Sequence, residues 1–165
     1  MRYAVVLLLT VAAWSCSQGT PLQPDPVTVS PSSAANSSLN LNIGDTGGRP
    51  LTTTMTGAEE APGPGDPDGT GTATITLNHG QSEVCFELTV ANIDPATAAH
   101  IHEAPPGEPG PIVVHLTAPT DGSSTGCVSA DPELVNDLIR NPSAYYVNVH
   151  NAAFPAGAVR GQLSK

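Results

Sequence analysis

The stretch GTATITL at residues 71–77 indicates the fold class, because apolar and polar residues alternate along it without a break. Ala73, Ile75 and Leu77 fall on one face of an extended strand, and threonines fall on the other. After turn-forming residues at 78–81, residues 83–90 repeat the alternation and predict a returning strand. The two segments therefore predict an antiparallel hairpin with one buried face.

Further short strands are predicted beyond this hairpin, over residues 98–102, 111–116, 145–150 and 159–163. One helix is predicted over residues 132–140, because Asp131 can cap it and Pro132 suits its first position. Its apolar residues form a single stripe, and Asn141 and Pro142 end it. The sequence predicts an all-β protein, an antiparallel β-sandwich with one short helix.

The charge balance excludes one class of partner. Among 165 residues, 5 Lys and Arg stand against 15 Asp and Glu, a formal net charge of -10. A nucleic-acid partner requires a basic stripe that neutralises phosphates, and the sequence has none. An anionic bilayer would also repel this domain, so we expect any membrane association to depend on an attached lipid.

The first sixteen residues, MRYAVVLLLTVAAWSC, indicate export. One Arg precedes an apolar run over residues 3–13 that is too short to span a bilayer. The segment resembles the lipobox of bacterial lipoproteins, in which a cysteine, here Cys16, is acylated and anchors the chain. Ala13 stands where that motif usually has Leu, and an ordinary secretory peptide cleaved after Ser15 is the alternative. Both interpretations predict export, and the lipid-anchored protein is expected at the bacterial cell envelope, in the periplasm, at the outer membrane or on the cell surface.

The rest of the chain divides into a tether and a domain. Residues 17–38 are rich in Ser and Pro without apolar periodicity, which is typical of a flexible tether. The predicted domain covers residues 39–165. If Cys16 carries lipid, Cys85 and Cys127 remain as an even pair that can form a disulfide in an oxidising compartment. Two separate buried thiols are the alternative.

Histidines suggest a metal site. His100 and His102 are separated by one residue of a predicted strand, so both point to the same side with Cα atoms about 6.6 Å apart. Two imidazoles at this spacing can bind one copper or zinc ion if further donors are present. His150 on another predicted strand and His115 are the candidates for these donors, and Glu103 adds a nearby carboxylate.

A structural role is the alternative for the same histidines. Their rings can donate to backbone carbonyls, and Asn148 and Arg160 can complete a buried polar network. His79 lies in the predicted turn of the hairpin, where solvation explains its presence without a metal.

Several motifs follow one another in the second half of the chain: HIH at 100–102 followed by a Gly/Pro-rich loop, YYVNVH at 145–150, FPAG at 154–157 and RGQL at 160–163. In this order they resemble the CHRD domain, a module named after chordin that also occurs in exported bacterial proteins. The segments at 55–62 and 66–73 resemble its opening part. The resemblance covers residues 39–165 and implies an immunoglobulin-like β-sandwich of a family whose bacterial members mostly lack an assigned activity.

A local resemblance to copper/zinc superoxide dismutase accompanies this one. The segment from His100 to Glu103 is similar to the copper strand of that sandwich enzyme, but no cluster resembling its zinc loop is present. No Gly-x-Ser-x-Gly motif indicates a hydrolase either. We therefore predict a non-enzymatic binding or structural module at the cell envelope that contacts an envelope protein or a glycan. A copper- or zinc-binding protein is the alternative, and a dismutase-like enzyme is a distant third.

Overall fold

The structure is a computed structural model that describes residues 50–165. The predicted signal segment with Cys16 and the predicted tether over 17–38 lie outside the described residues, as do residues 39–49 of the predicted domain. In the part that is described, no helix is both long enough and apolar enough to cross a membrane.

The hairpin predicted from the alternating stretch is present. Strand β2 spans Thr70–Asn78 and strand β3 spans Glu83–Ala91, and a 3₁₀ turn at His79–Gln81 connects them. Ala73, Ile75 and Leu77 are buried, while the intervening threonines lie on the outer face. Across the pair, Thr72 and Thr89 share a hydrogen bond of 2.7 Å between their hydroxyls. The period-2 pattern thus predicted both the strands and their buried face.

The other predicted elements also form, with bounds that differ by a residue or two. The strands are β4 Ala96–Glu103, β5 Ile112–Leu116, β7 Tyr145–Asn151 and β8 Val159–Gln162. The helix α1 covers Pro132–Arg140, as predicted, and the Asp131 side chain accepts a hydrogen bond from the Glu133 amide at 2.7 Å. Its buried residues Val135 and Leu138 join the core of the sheet.

Two strands have no counterpart among the predicted ones. β1 spans Leu51–Thr56 and β6 spans Ser123–Ser129. In β1 a run of three threonines separates the buried residues Leu51 and Met55, so the apolar signal recurs every fourth residue instead of every second. β6 lies at an edge of the sheet and has no fully buried residue, so burial imposes no apolar alternation on it.

All eight strands of the described residues belong to one sheet, in the order β5-β4-β7-β8-β1-β2-β3-β6, and every neighbouring pair is antiparallel. The edge strands β5 and β6 come near each other, so the sheet curls around its core into a nearly closed, sandwich-like body. The core is formed by side chains from both halves, among them Ile75, Leu88, Ile101, Val147, Val149 and Val159. The all-β, antiparallel sandwich prediction is confirmed.

Cys85 on β3 and Cys127 on β6 form a disulfide. The two residues are direct partners in the register of these strands, and the bond closes a sequence separation of 42. The predicted pairing is confirmed, and the alternative of two separate thiols is wrong. The crosslink ties the edge strand β6, which contributes little to the core, to its neighbour.

Candidate metal centre

The site lies on the outer face of the sheet, where β4 and β7 run side by side. On β4, Ala99 and Ile101 point into the core, so His100 and His102 occupy the opposite face. Asn148 of β7 lies opposite His100 in the register, and His150 belongs to the same face of its strand. Strand pairing therefore places three histidines from two strands next to one another.

The three side chains converge. One ring nitrogen from each of His100, His102 and His150 lies within 4.8 Å of the other two. The closest pair, Nδ1 of His100 and Nε2 of His150, is separated by 3.1 Å. Around a single ion with metal–nitrogen bonds of about 2.0 Å, such nitrogens stand roughly 3.3 Å apart. Small ring movements are therefore enough to place all three nitrogens around one ion.

Backbone carbonyls fix the orientation of two of the rings. Nδ1 of His102 lies 2.8 Å from the Gly110 oxygen, and Nδ1 of His150 lies 3.1 Å from the Pro155 oxygen. A carbonyl can only accept, so in both rings Nδ1 carries the proton and donates it. In the neutral rings the lone pair is then on Nε2, and donation of the other N–H to a carbonyl is the arrangement typical of metal-binding histidines.

The free nitrogen of His102 is buried without a partner. The side chain is only 8 % exposed, and its Nε2 has no hydrogen-bond partner. An unpaired buried polar atom costs free energy comparable to a lost hydrogen bond, so such atoms are rare in folded proteins. A bound cation would satisfy this lone pair.

The electrostatics keep the rings neutral. Burial, together with the neighbouring His150, His102 and His115, lowers the pKa of His100 to about 4. Burial also lowers the pKa of His102 and His150 below the ordinary value of 6.5. Because a metal ion competes with protons for the same lone pairs, neutral imidazoles are the form that binds it.

The ring of His102 is supported by a stack formed with the Tyr146 ring and the Arg160 guanidinium. The His102 ring lies parallel to that of Tyr146, with centroids 4.8 Å apart, and the Arg160 guanidinium covers the other face of Tyr146 at 3.5 Å. Arg160 also donates to the carbonyl oxygens of Glu108 at 2.9 Å and Pro105 at 3.0 Å. It thereby holds the loop between β4 and β5, the same loop that supplies the Gly110 carbonyl.

The other residues considered as metal ligands lie outside the group of three converging histidines. His115 on β5 is paired with His100, and their rings are 4.9 Å apart, but it is exposed and is not one of the three converging residues. Glu103 ends β4 as an exposed residue. His79 is exposed in the 3₁₀ turn of the hairpin, as expected for a solvated side chain. Glu83 lies beside Cys85 and Cys127, but the sulfurs of that group are joined in the disulfide.

Both interpretations of the histidines find support in this geometry. The Nδ1 atoms of His102 and His150 belong to a network with main-chain oxygens, as the structural alternative predicted. Nε2 of His102 has no partner and is left for a ligand, as the metal prediction required, while Nε2 of His150 lies 3.1 Å from Nδ1 of His100. Asn148 lies within the cluster, with its Oδ1 3.1 Å from Nε2 of His150, and Arg160 acts on the loop. The two roles are compatible because each ring has two nitrogens.

Comparison with known proteins identifies the domain. A scan of protein-family models finds the CHRD domain over residues 51–163. The chain belongs to the CHRD-domain family. Searches of curated proteins and of solved structures found no match. The family match ends within a few residues of the described β-sheet at both ends, so the CHRD domain and the eight-stranded body coincide.

Sequence reasoning missed several groups that shape the centre. The carbonyls of Gly110 and Pro155 belong to loops, and a backbone oxygen has no signature in the sequence. The stacking role of Tyr146 depends on the register between β7 and β8, which places it one strand away from Arg160. Glu60, a buried carboxylate near Asn148 and Arg160, follows an equally acidic but exposed Glu59, and nothing in the sequence separates the two.

Proposed function

We propose that this CHRD-domain protein binds one transition-metal ion, copper or zinc, through His100, His102 and His150. The observation that carries the proposal is the buried Nε2 of His102, which has no partner and belongs to a group of three imidazole nitrogens within 4.8 Å of one another. Imidazole donors without thiolates or carboxylates suit copper and zinc better than calcium or magnesium. Three protein ligands also leave a position for water or for His115.

The wider role is that of a binding module at the cell envelope. CHRD-family membership supports a binding or structural module. The signal-like segment ending at Cys16 supports export and attachment by lipid, with the domain held off the membrane by residues 17–38. We propose that the protein holds its metal there without catalysing a reaction. A superoxide assay tests this point, since copper-loaded protein should be no more active than the same amount of free copper.

Metal titration of the full chain, purified without an affinity tag, tests the site. The wild type should bind one equivalent of zinc or of copper, and a His100→Ala/His102→Ala variant should bind at least 100-fold more weakly, since even indirect supports of metal ligands are worth 10- to 100-fold. His79→Ala is the matched control, because it removes an exposed imidazole away from the cluster. His115→Ala should weaken binding much less than the double variant. Equal binding by the wild type and the double variant would refute the site.

A further inference from the structure

Glu60 is a second buried polar group with an unsatisfied atom near the centre. It follows the 3₁₀ turn Gly57–Glu59, its side chain is 8 % exposed, and its Oε1 has no hydrogen-bond partner. The backbone of Gly157 packs directly against the carboxyl group, and a side chain at position 157 would overlap it. A carboxyl group in such surroundings is costly to ionise.

The groups facing this carboxyl come from several elements. The charged one is Arg160 on β8, and the polar ones are the Asn148 side chain on β7 and the backbone N–H of Ala61. The backbone of Gly65 and Gly157 completes the enclosure. The guanidinium of Arg160 directs its hydrogen bonds to the loop carbonyls and to Gln162, so its attraction for Glu60 acts from a distance. Burial is the dominant cause and, against the opposing effects of Arg160, Ala61 and Asn148, raises the pKa of Glu60 to about 7.

Asn148 connects this carboxyl to the histidines. Its side chain lies close enough to Glu60 to lower the pKa of the carboxyl group, and its Oδ1 lies 3.1 Å from Nε2 of His150. An ion held by the three imidazoles would therefore lie one side-chain amide away from Glu60. Three neutral imidazoles contribute no negative charge, and a divalent cation in a partly buried site gains strongly from a nearby anion.

We propose that Glu60 is the charge-balancing residue of the metal centre, where binding of a divalent cation to His100, His102 and His150 drives the carboxyl proton into solvent. This inference rests on the proposed function. The O–H bond of Glu60 breaks, the proton passes to the buffer, and the carboxylate offsets one of the two positive charges that enter. No electron is transferred. Glu60 acts through Asn148 and the local field, and is a positioning residue rather than a ligand.

Calorimetric titration of the full chain with zinc, in buffers that differ in ionisation enthalpy, measures the protons released per ion. At pH 6.5 the wild type should release about three quarters of a proton more than a Glu60→Gln variant, and at pH 8.5 less than about a tenth more, as follows from a pKa of about 7. The subtraction cancels any proton that comes from the histidines themselves. Glu59→Gln, which removes the same charge at an exposed neighbouring position, should behave as the wild type.

The possible outcomes distinguish failure of the Glu60 role from failure of the three-histidine metal site. If the wild type binds zinc but Glu60→Gln releases as many protons at pH 6.5, the role of Glu60 is refuted and the metal site stands. If the wild type binds neither zinc nor copper, both are refuted. Infrared difference spectra of the wild type at pH 6.5 provide a readout that needs no variant, because zinc should remove the band of a protonated carboxylic acid. An unchanged band would overturn the inference.

Discussion

The guanidinium of Arg160 lies 3.5 Å from the centre of the Tyr146 ring, and the other face of that ring stacks on His102. Through this contact and two hydrogen bonds to loop carbonyls, a fully buried cation on β8 supports a histidine two strands away. The orientation of His102 thus depends on a residue that lies outside the cluster of three histidines.

Arg160→Lys should weaken metal binding about 10-fold, in the range found for groups that orient metal ligands. A lysine has neither the planar group that stacks on Tyr146 nor the fork that reaches two carbonyls. Zinc titration of the variant measures the effect, with the exposed Arg140→Lys as its control. Unchanged affinity in Arg160→Lys would show that the loop holds its position without the guanidinium.

Glu60 should make the metal-free domain less stable as the pH rises. Its pKa is raised from 4.5 to about 7 in the folded state, so between these values the folded chain binds a proton that the unfolded chain releases. The stability conferred by that proton is present in full below pH 4.5 and is lost as the pH rises through 7. Glu60→Gln should therefore be more stable than the wild type at pH 8, by about 1–3 kcal/mol after allowance for screening, and similar to it near pH 4.5.

Urea unfolding in the presence of a chelator at both pH values measures this difference. Glu59→Gln serves as the control, since its carboxylate is exposed. A gap between Glu60→Gln and the wild type that is the same at both pH values would mean that packing, and not ionisation, is responsible.

Removal of the disulfide should destabilise the domain without affecting the metal centre. A Cys85→Ser/Cys127→Ser variant opens a sequence separation of 42, which corresponds to about 4 kcal/mol in the chain-entropy description of a crosslink. The crosslink joins β3 and β6, whereas the histidines are on β4 and β7 in the other half of the sheet order. Unfolding with and without a reductant measures the loss, and zinc affinity below the unfolding range should be unchanged. Weaker zinc binding in this folded variant would reveal coupling across the core.

Acylation at Cys16 should hold the protein in the membrane fraction. Intact mass of the membrane-bound protein should show a lipid on Cys16, and Cys16→Ser should be released in soluble form. The Cys85→Ser/Cys127→Ser variant tests for general effects of losing cysteines and should stay in the membrane fraction. Native protein that is wholly soluble and carries no lipid on Cys16 would support the ordinary secretory peptide instead.

The parts of the fold that follow from local pattern could be predicted, and those that depend on distant partners could not. Thr–Ile–Thr alternation in β2 and the Asp131 cap of α1 are local signals, and both elements form where expected. β1 pairs along its length with β2, so its position is set by a neighbour and not by its own weak apolar pattern. At the site, the spacing of His100 and His102 correctly implied a shared face.

The chemistry around the histidines was less accessible from the sequence. Convergence with His150 depends on the register of β4 against β7, a long-range relationship that the sequence could suggest but not fix. The tautomers of two rings depend on loop carbonyls, and the burial of Glu60 depends on the approach of Gly157. These features arise from packing between segments far apart in the chain.

The loop between β4 and β5 contributes to the centre through its main chain. Pro105 and Glu108 offer carbonyl oxygens to Arg160, so substitutions of their side chains leave these acceptors in place. Gly110 is different, because any side chain there would collide with the backbone of Glu103 and displace the oxygen that holds His102. Substitutions at 105 and 108 therefore leave the orientation of the His102 ring unchanged. A single methyl group at 110 would disturb that orientation.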